Sequence, residues 1–189
     1  MKNFKLALTG IAAIVGVVGL SASGVLAATS STNVTVNAII EEVLSVADLG
    51  DGGTGAKTVN LNATPGVLAS NAADPHVIEI GTNSPKGYKL SIKDADANTN
   101  LVNGANTIAA HTSTFASPTA LANNSWGYRT DQMTVGSYAG VTATDVTIRS
   151  STGVVASETT NITYGVLVDA SKPSGTYTDI VTITAVTNE

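Results

Sequence analysis

From residue 34 onward the chain repeats one pattern, an apolar and mostly β-branched or aromatic residue at every second position. Val34, Val36, Ala38 and Ile40 alternate with Thr35, Asn37 and Ile39. The same alternation returns in Val59/Leu61, Ile78/Ile80, Tyr88/Leu90/Ile92 and Ile162/Tyr164/Val166/Val168, and again in Tyr177/Val181/Ile183/Ala185. Successive side chains of a strand point to opposite faces, so this period gives each segment one apolar face. Turn-forming residues separate the segments: Gly50-Asp51-Gly52-Gly53, Pro65-Gly66, Asn83-Ser84-Pro85-Lys86-Gly87, Asn103-Gly104 and Pro173-Ser174-Gly175. Short strands punctuated in this way predict an all-β chain, an antiparallel sandwich. Ile39 to Leu44 also carries apolar pairs four apart, which would suit a helical turn. Its β-branched flanks favour a strand.

The first 27 residues have a different character. Lys2 and Lys5 precede an uncharged, apolar run from Leu6 to Leu20, and the small residues of Val25-Leu26-Ala27-Ala28 suit a signal peptidase. The run is shorter than the ~20 residues of a spanning helix and is broken by Gly10, Gly16 and Gly19. Residues 1–27 therefore read as a cleaved signal peptide, with Ala28 as the alternative end. Residues 28–189 read as a single secreted β-sandwich domain with no membrane contact after cleavage. The chain has no cysteine, so neither a disulfide nor a lipid thioether supports or tethers it. Its net charge is −5, and losing Lys2 and Lys5 makes it more acidic. An acidic chain without basic clusters argues against nucleic acid or anionic lipid as partner.

Nothing in the sequence assembles a catalytic motif, and no cofactor is expected. His76 and His111 are the only histidines, Gly-x-Ser-x-Gly does not occur, and a Cys–His pair is ruled out by composition. Both histidines are expected at solvated positions, His76 at a strand end and His111 in a Ser/Thr loop. Asp94, Asp96, Asn98 and Asn100 place oxygen donors at alternate positions, as a hard cation such as calcium requires. Against an EF-hand loop, Thr99 stands where glycine should turn the chain and Ala105 where the bidentate glutamate belongs. The loop is therefore read as a turn held by its own Asp and Asn side chains, with no metal expected. Trp126 and Tyr128 share a strand face and are the candidate platform for a sugar ring, while a lone Trp in an aromatic-poor chain is more often the largest anchor of the core.

The order of motifs resembles a known group. Glu42-Val43-Leu44-Ser45-Val46 is followed by Ile78-Glu79-Ile80-Gly81-Thr82-Asn83 and then by Lys86-Gly87-Tyr88-Lys89-Leu90-Ser91-Ile92-Lys93-Asp94-Ala95-Asp96. The chain ends through Pro173-Ser174-Gly175-Thr176-Tyr177-Thr178-Asp179-Ile180-Val181-Thr182-Ile183. This is similar to alpha-type (class 5) fimbrial subunits and to spore-coat-U-like secreted domains. Asn124-Ser125-Trp126-Gly127-Tyr128 and Gly165-Val166-Leu167-Val168-Asp169 also resemble surface proteins of small-genome bacteria. The resemblance implies an immunoglobulin-like sandwich at a cell surface, a structural or adhesive subunit rather than an enzyme. Self-association by strand addition would be its mode of assembly, and a cell-surface glycan or protein its other partner. The alternative is a secreted carbohydrate- or ligand-binding module. Under strand addition, Val34, Val36, Ala38 and Ile40 would be the side chains a donated strand inserts. The same four residues equally suit the domain's own first strand.

Overall fold

The computed structural model describes residues 35–49 and 57–189. The signal peptide read over 1–27, Val34 and the Gly50–Gly53 turn lie outside the described residues. Within them there is no α-helix, and ten strands form two sheets. The strands are β1 (Leu44–Asp48), β2 (Ala69–Ser70), β3 (His76–Thr82), β4 (Tyr88–Asp94) and β5 (Leu101–Asn103). They continue with β6 (Asn106–Ala110), β7 (Ser125–Thr130), β8 (Val146–Ser150), β9 (Val155–Leu167) and β10 (Val181–Thr187). The larger sheet runs β1-β3-β9-β7-β6-β5, with β2 also on β9, and the smaller runs β10-β4-β8. All pairs are antiparallel except β6 with β7.

The predicted period is visible in β3 and β4. Their burial alternates strictly, with Ile78 and Ile80 inward from one sheet and Tyr88, Leu90 and Ile92 inward from the other. Ile148, Ile162, Tyr164 and Val166 extend the same core. Two predicted strands are not strands. Residues 35–43 make no ladder, so the first strand among the described residues is β1. Asn83 secures the approach to β1 through its side chain, accepting from Val43 N at 2.6 Å and donating to Glu41 O at 2.7 Å. Residues 57–63 are also unladdered, although Val59 and Leu61 still turn toward the core. Alternation creates an apolar face, but a strand also needs a neighbouring backbone ladder, and among the described residues neither segment has one beyond the bond from Asn83 N to Val43 O at 3.3 Å.

The C-terminal half of β9 and all of β7 except Arg129 are buried on both faces or nearly so. Gly127 and Gly165 sit directly opposite each other in this pair. A Cβ at Gly165 would lie 2.6 Å from the Tyr138 ring, and one at Gly127 would lie 2.3 Å from the Ala139 carbonyl oxygen. The two glycines thus let the segments before and after β7, which carry His111, Leu121, Tyr138 and Ala139, lie close on the sheet. Between the sheets, Tyr88 donates to Glu158 Oε2 at 2.5 Å, and Arg149 Nη2 lies 3.0 Å from Glu158 Oε1. Arg149 also reaches Asp131 at 3.4 Å. β4, β8 and β9 are tied by this cluster.

Two predictions follow from these contacts. Gly127→Ala should destabilise more than Gly165→Ala, because it meets backbone rather than a ring that can shift. Overpacking of this kind typically costs about 1–3 kcal/mol, to be read from the midpoint of urea unfolding. The Tyr88 hydroxyl, with Arg149, holds the Glu158 carboxyl below its ordinary value of 4.5. A carboxylate with a lowered folded pKa stabilises above its unfolded value and loses that contribution as pH falls through the folded one. Glu158→Gln should therefore lose about 1 kcal/mol at neutral pH and show a flatter decline in melting temperature below pH 4.5.

Candidate functional site

The inward row of β4 does not end on an apolar residue. Tyr88, Leu90 and Ile92 are followed at the next inward position by Asp94, which is 2% exposed. The chain then folds over this carboxylate: Asp94 Oδ1 accepts from Asp96 N at 2.8 Å and from Ala97 N at 3.0 Å. Asp96 Oδ1 accepts from Asn98 N at 2.9 Å, and Ala97 takes the left-handed conformation with φ 74°. The loop is pinned from below by Trp126, whose Nε1 donates to Thr99 O at 3.0 Å. The turn role read from the sequence is thus taken by Asp94 and Asp96, whereas Asn100 Nδ2 donates to Asn98 Oδ1 at 2.9 Å.

A third acid reaches the same place from the far end of the chain. β10 pairs with β4 so that Val181 stands opposite Asp94, and Ala95 N donates to Ile180 O at 3.0 Å. This pairing brings in Asp179, whose Oδ1 accepts from Ile180 N at 2.8 Å. Carboxylate oxygens of Asp94, Asp96 and Asp179 all lie within 4.8 Å of one another. Beside them is an open cleft of ≈ 350 Å³, lined by Asp96, Asn98, Asn100, Thr178 and Asp179 among others. Asp94 Oδ2 and Asp179 Oδ2 are buried without a hydrogen-bond partner. Among the described residues no basic side chain forms an ion pair with any of the three acids. Burial, with Asp94 and Asp96 nearby, pushes the Asp179 carboxyl up to about 7. The four sequence candidates do converge here, but Asp179 was not among them. Only the β4–β10 register identifies it.

Trp126 and Tyr128 are placed differently from the sugar platform considered for them. They are 3% and 1% exposed and belong to the core, with Phe115 stacked on Tyr128 at 6.5 Å. A platform needs an exposed ring face, and neither residue offers one. The histidines are also buried rather than solvated, each about 8% exposed. His76 Nε2 lies 2.8 Å from Asp48 Oδ2, while His111 Nε2 lies 2.9 Å from Thr119 Oγ1. Burial lowers the pKa of His111. Ser125, next to His111, directs its hydroxyl to Ala122 O at 2.6 Å.

A different kind of surface lies where the two sheets end. β1 and β10 are edge strands that approach each other without pairing. Leu44 and Val46 stand opposite the buried Thr82 and Ile80, so they face inward, yet Val46 is 52% exposed. Val181, Ile183 and Ala185 of β10 are likewise only partly covered. Upstream, the described members of the proposed assembly segment, Val36, Ala38 and Ile40, are all exposed. No protein-family model matches the chain, and no curated protein matches it. Among the described residues no helix is long and apolar enough to cross a membrane.

If Trp126 is a core residue anchoring the Thr99 loop, its fluorescence should be blue-shifted and poorly quenched by acrylamide. It should not respond to soluble glycans. Red-shifted emission that moves with added sugar would return the indole to a binding role.

Proposed function

We propose that the protein is a secreted, non-enzymatic structural subunit of a cell surface, fimbria-like or surface-layer-like, that assembles through strand addition. On this reading residues 1–27 are removed on export and the two sheets form an immunoglobulin-like sandwich. The observation that carries it is the incomplete seam: among the described residues no second strand pairs with β1 over Leu44–Ala47, and its inward Val46 is half exposed. An unpaired edge with apolar side chains is the surface on which another strand adds, through main-chain hydrogen bonds and alternate side chains in pockets. The segment from Val34 to Ile40 has the period such a strand needs, with Val36 84% and Ile40 86% exposed. Val34, Val36, Ala38 and Ile40 of one copy are the proposed inserts into the seam of the next. The engagement of both histidines in buried contacts favours a structural over a catalytic role. The burial of Trp126 and Tyr128 counts against the carbohydrate-binding alternative.

The test is deletion of residues 28–41. Under strand addition the full mature protein gives multiples in native mass spectrometry, and the deletion variant is a folded monomer with an unchanged β-type circular dichroism spectrum. A synthetic peptide of residues 29–41 then binds the variant one to one. Val36→Asp in the full protein lowers the yield of multiples while leaving the melting temperature within a degree or so. A monomeric full protein, or multiples that survive the deletion, would rule out assembly through this segment.

A further inference from the structure

We propose that Asp94, Asp96 and Asp179 form a calcium site that locks the loop after β4 to the chain entering β10. The inference starts from a position where a carboxylate should not be. Asp94 occupies an inward register of β4, is 2% exposed, and has one oxygen with no partner. A buried ionised carboxylate is strongly unfavourable unless something compensates its charge. Hydrogen bonds to Asp94 Oδ1 meet half of that need. An oxygen of Asp94 lies within 4.8 Å of an oxygen from each of two more acids, and among the described residues no base forms an ion pair with it.

The division of labour within each carboxylate points the same way. Asp94, Asp96 and Asp179 each use Oδ1 to hold a backbone N–H, at 2.8, 2.9 and 2.8 Å. Those bonds fix the three carboxyl groups against the backbone and leave each a second oxygen. For Asp94 and Asp179 that second oxygen is buried and unsatisfied. Asn98 and Asn100 line the adjoining cleft and bring neutral oxygens to it, with Asn98 Oδ1 accepting from Asn100 Nδ2 at 2.9 Å. Donors that are all oxygen exclude the preferences of zinc, which favours nitrogen and sulfur. A mixed set of carboxylates and amides on a loop, open on one side to water, suits calcium, which accepts six to eight oxygens in irregular arrangements. Magnesium demands a stricter octahedron and suits such a loop less well.

The site spans two parts of the chain far apart in sequence. Asp94 and Asp96 follow β4, and Asp179 immediately precedes Ile180, whose carbonyl already bonds Ala95 N. Val102 and Thr178 bond each other in both directions, at 2.9 and 3.0 Å, so the same junction also joins the β5 edge of the larger sheet. A cation there ties the end of β4 to the start of β10 within the smaller sheet, beside the Val102–Thr178 bridge to the larger one, a role open to a chain that has no cysteine.

The experiment compares melting temperatures of the chelator-treated protein in NaCl and in CaCl₂ of equal ionic strength, with calcium titrated to about 10 mM. Calcium should raise the midpoint by several degrees, and NaCl should not. Two variants give opposite signs under the two conditions. Asp179→Asn removes one of the mutually repelling charges, so without calcium it should melt at or above the wild-type temperature. With calcium it should melt below it. Asp96→Asn lies at the exposed rim, keeps the bond to Asn98 N, and should fold normally while weakening the calcium response about tenfold or more. Trp126 emission, reporting through its bond to Thr99 O, should saturate over the same calcium range. A wild-type midpoint indifferent to calcium would mean that Asp94 and Asp179 are compensated by sharing a proton, and would overturn the site. A calcium shift matched by NaCl, or one retained in both variants, would overturn it equally.

Discussion

The arrangement depends on one strand. β9 runs for 13 residues and carries β3 and β2 along one edge and β7 along the other. Every other member of the larger sheet is attached through one of those pairings. The central position is reflected in its sequence. From Ser157 to Asn161 exposed residues alternate with more buried ones, whereas every position from Ile162 to Val166 is buried. Between β2 and β3, where no strand covers β9, Asn71 completes the edge: its side-chain oxygen accepts from Tyr164 N at 2.7 Å, and its own N–H donates to Tyr164 O at 3.3 Å. One asparagine therefore stands in for a missing stretch of ladder. Backbone groups in so buried a location would otherwise be left without partners.

Since no disulfide contributes, the two sheets are held by the apolar layer and by a few polar cross-ties. The cluster of Tyr88, Arg149, Glu158 and Asp131 is one, and both charge signs are present in it. The acidic junction at Asp94, Asp96 and Asp179 is the opposite case, three acids with which no base among the described residues forms an ion pair. The contrast between them is what gives the second cluster its meaning. A protein that balances a partly buried carboxylate with arginine at one place leaves three carboxylates unbalanced at another.

Much of the fold was legible in the sequence because the inward residues of β3 and β4, and the apolar ones of β9 from Ile162, recur at every second position. Ile78, Leu90 and Ile162 are where that period puts them. The period failed at residues 35–43 and 57–63, where it describes a face but says nothing about whether a neighbouring backbone is present. It also missed the reason for Gly127 and Gly165. Each looks like an ordinary weak point in a strand, and only their pairing beneath Tyr138 and Ala139 explains them. Of the acidic site, the local half was readable from Asp94 and Asp96. Asp179 was not, because its approach depends on strands β4 and β10 lying in register, and no short-range pattern encodes that. Trp126 and Tyr128 illustrate the remaining ambiguity: neighbours on one strand face are as consistent with a core as with a surface, and burial decides.

The strand order has a consequence for how the chain must be made. β3 finds its main partner in β9 and β4 finds one in β10, so both sheets stay incomplete until the last strands are present. Contacts of such long sequence separation are slow to form, since the intervening chain must be ordered before they are rewarded. A chain emerging from its N-terminus through a ribosome tunnel or a narrow channel cannot close its core partway. It remains threadable throughout its passage and collapses into two sheets only when the C-terminal strands arrive, and any break in synthesis before β9 yields no partial domain.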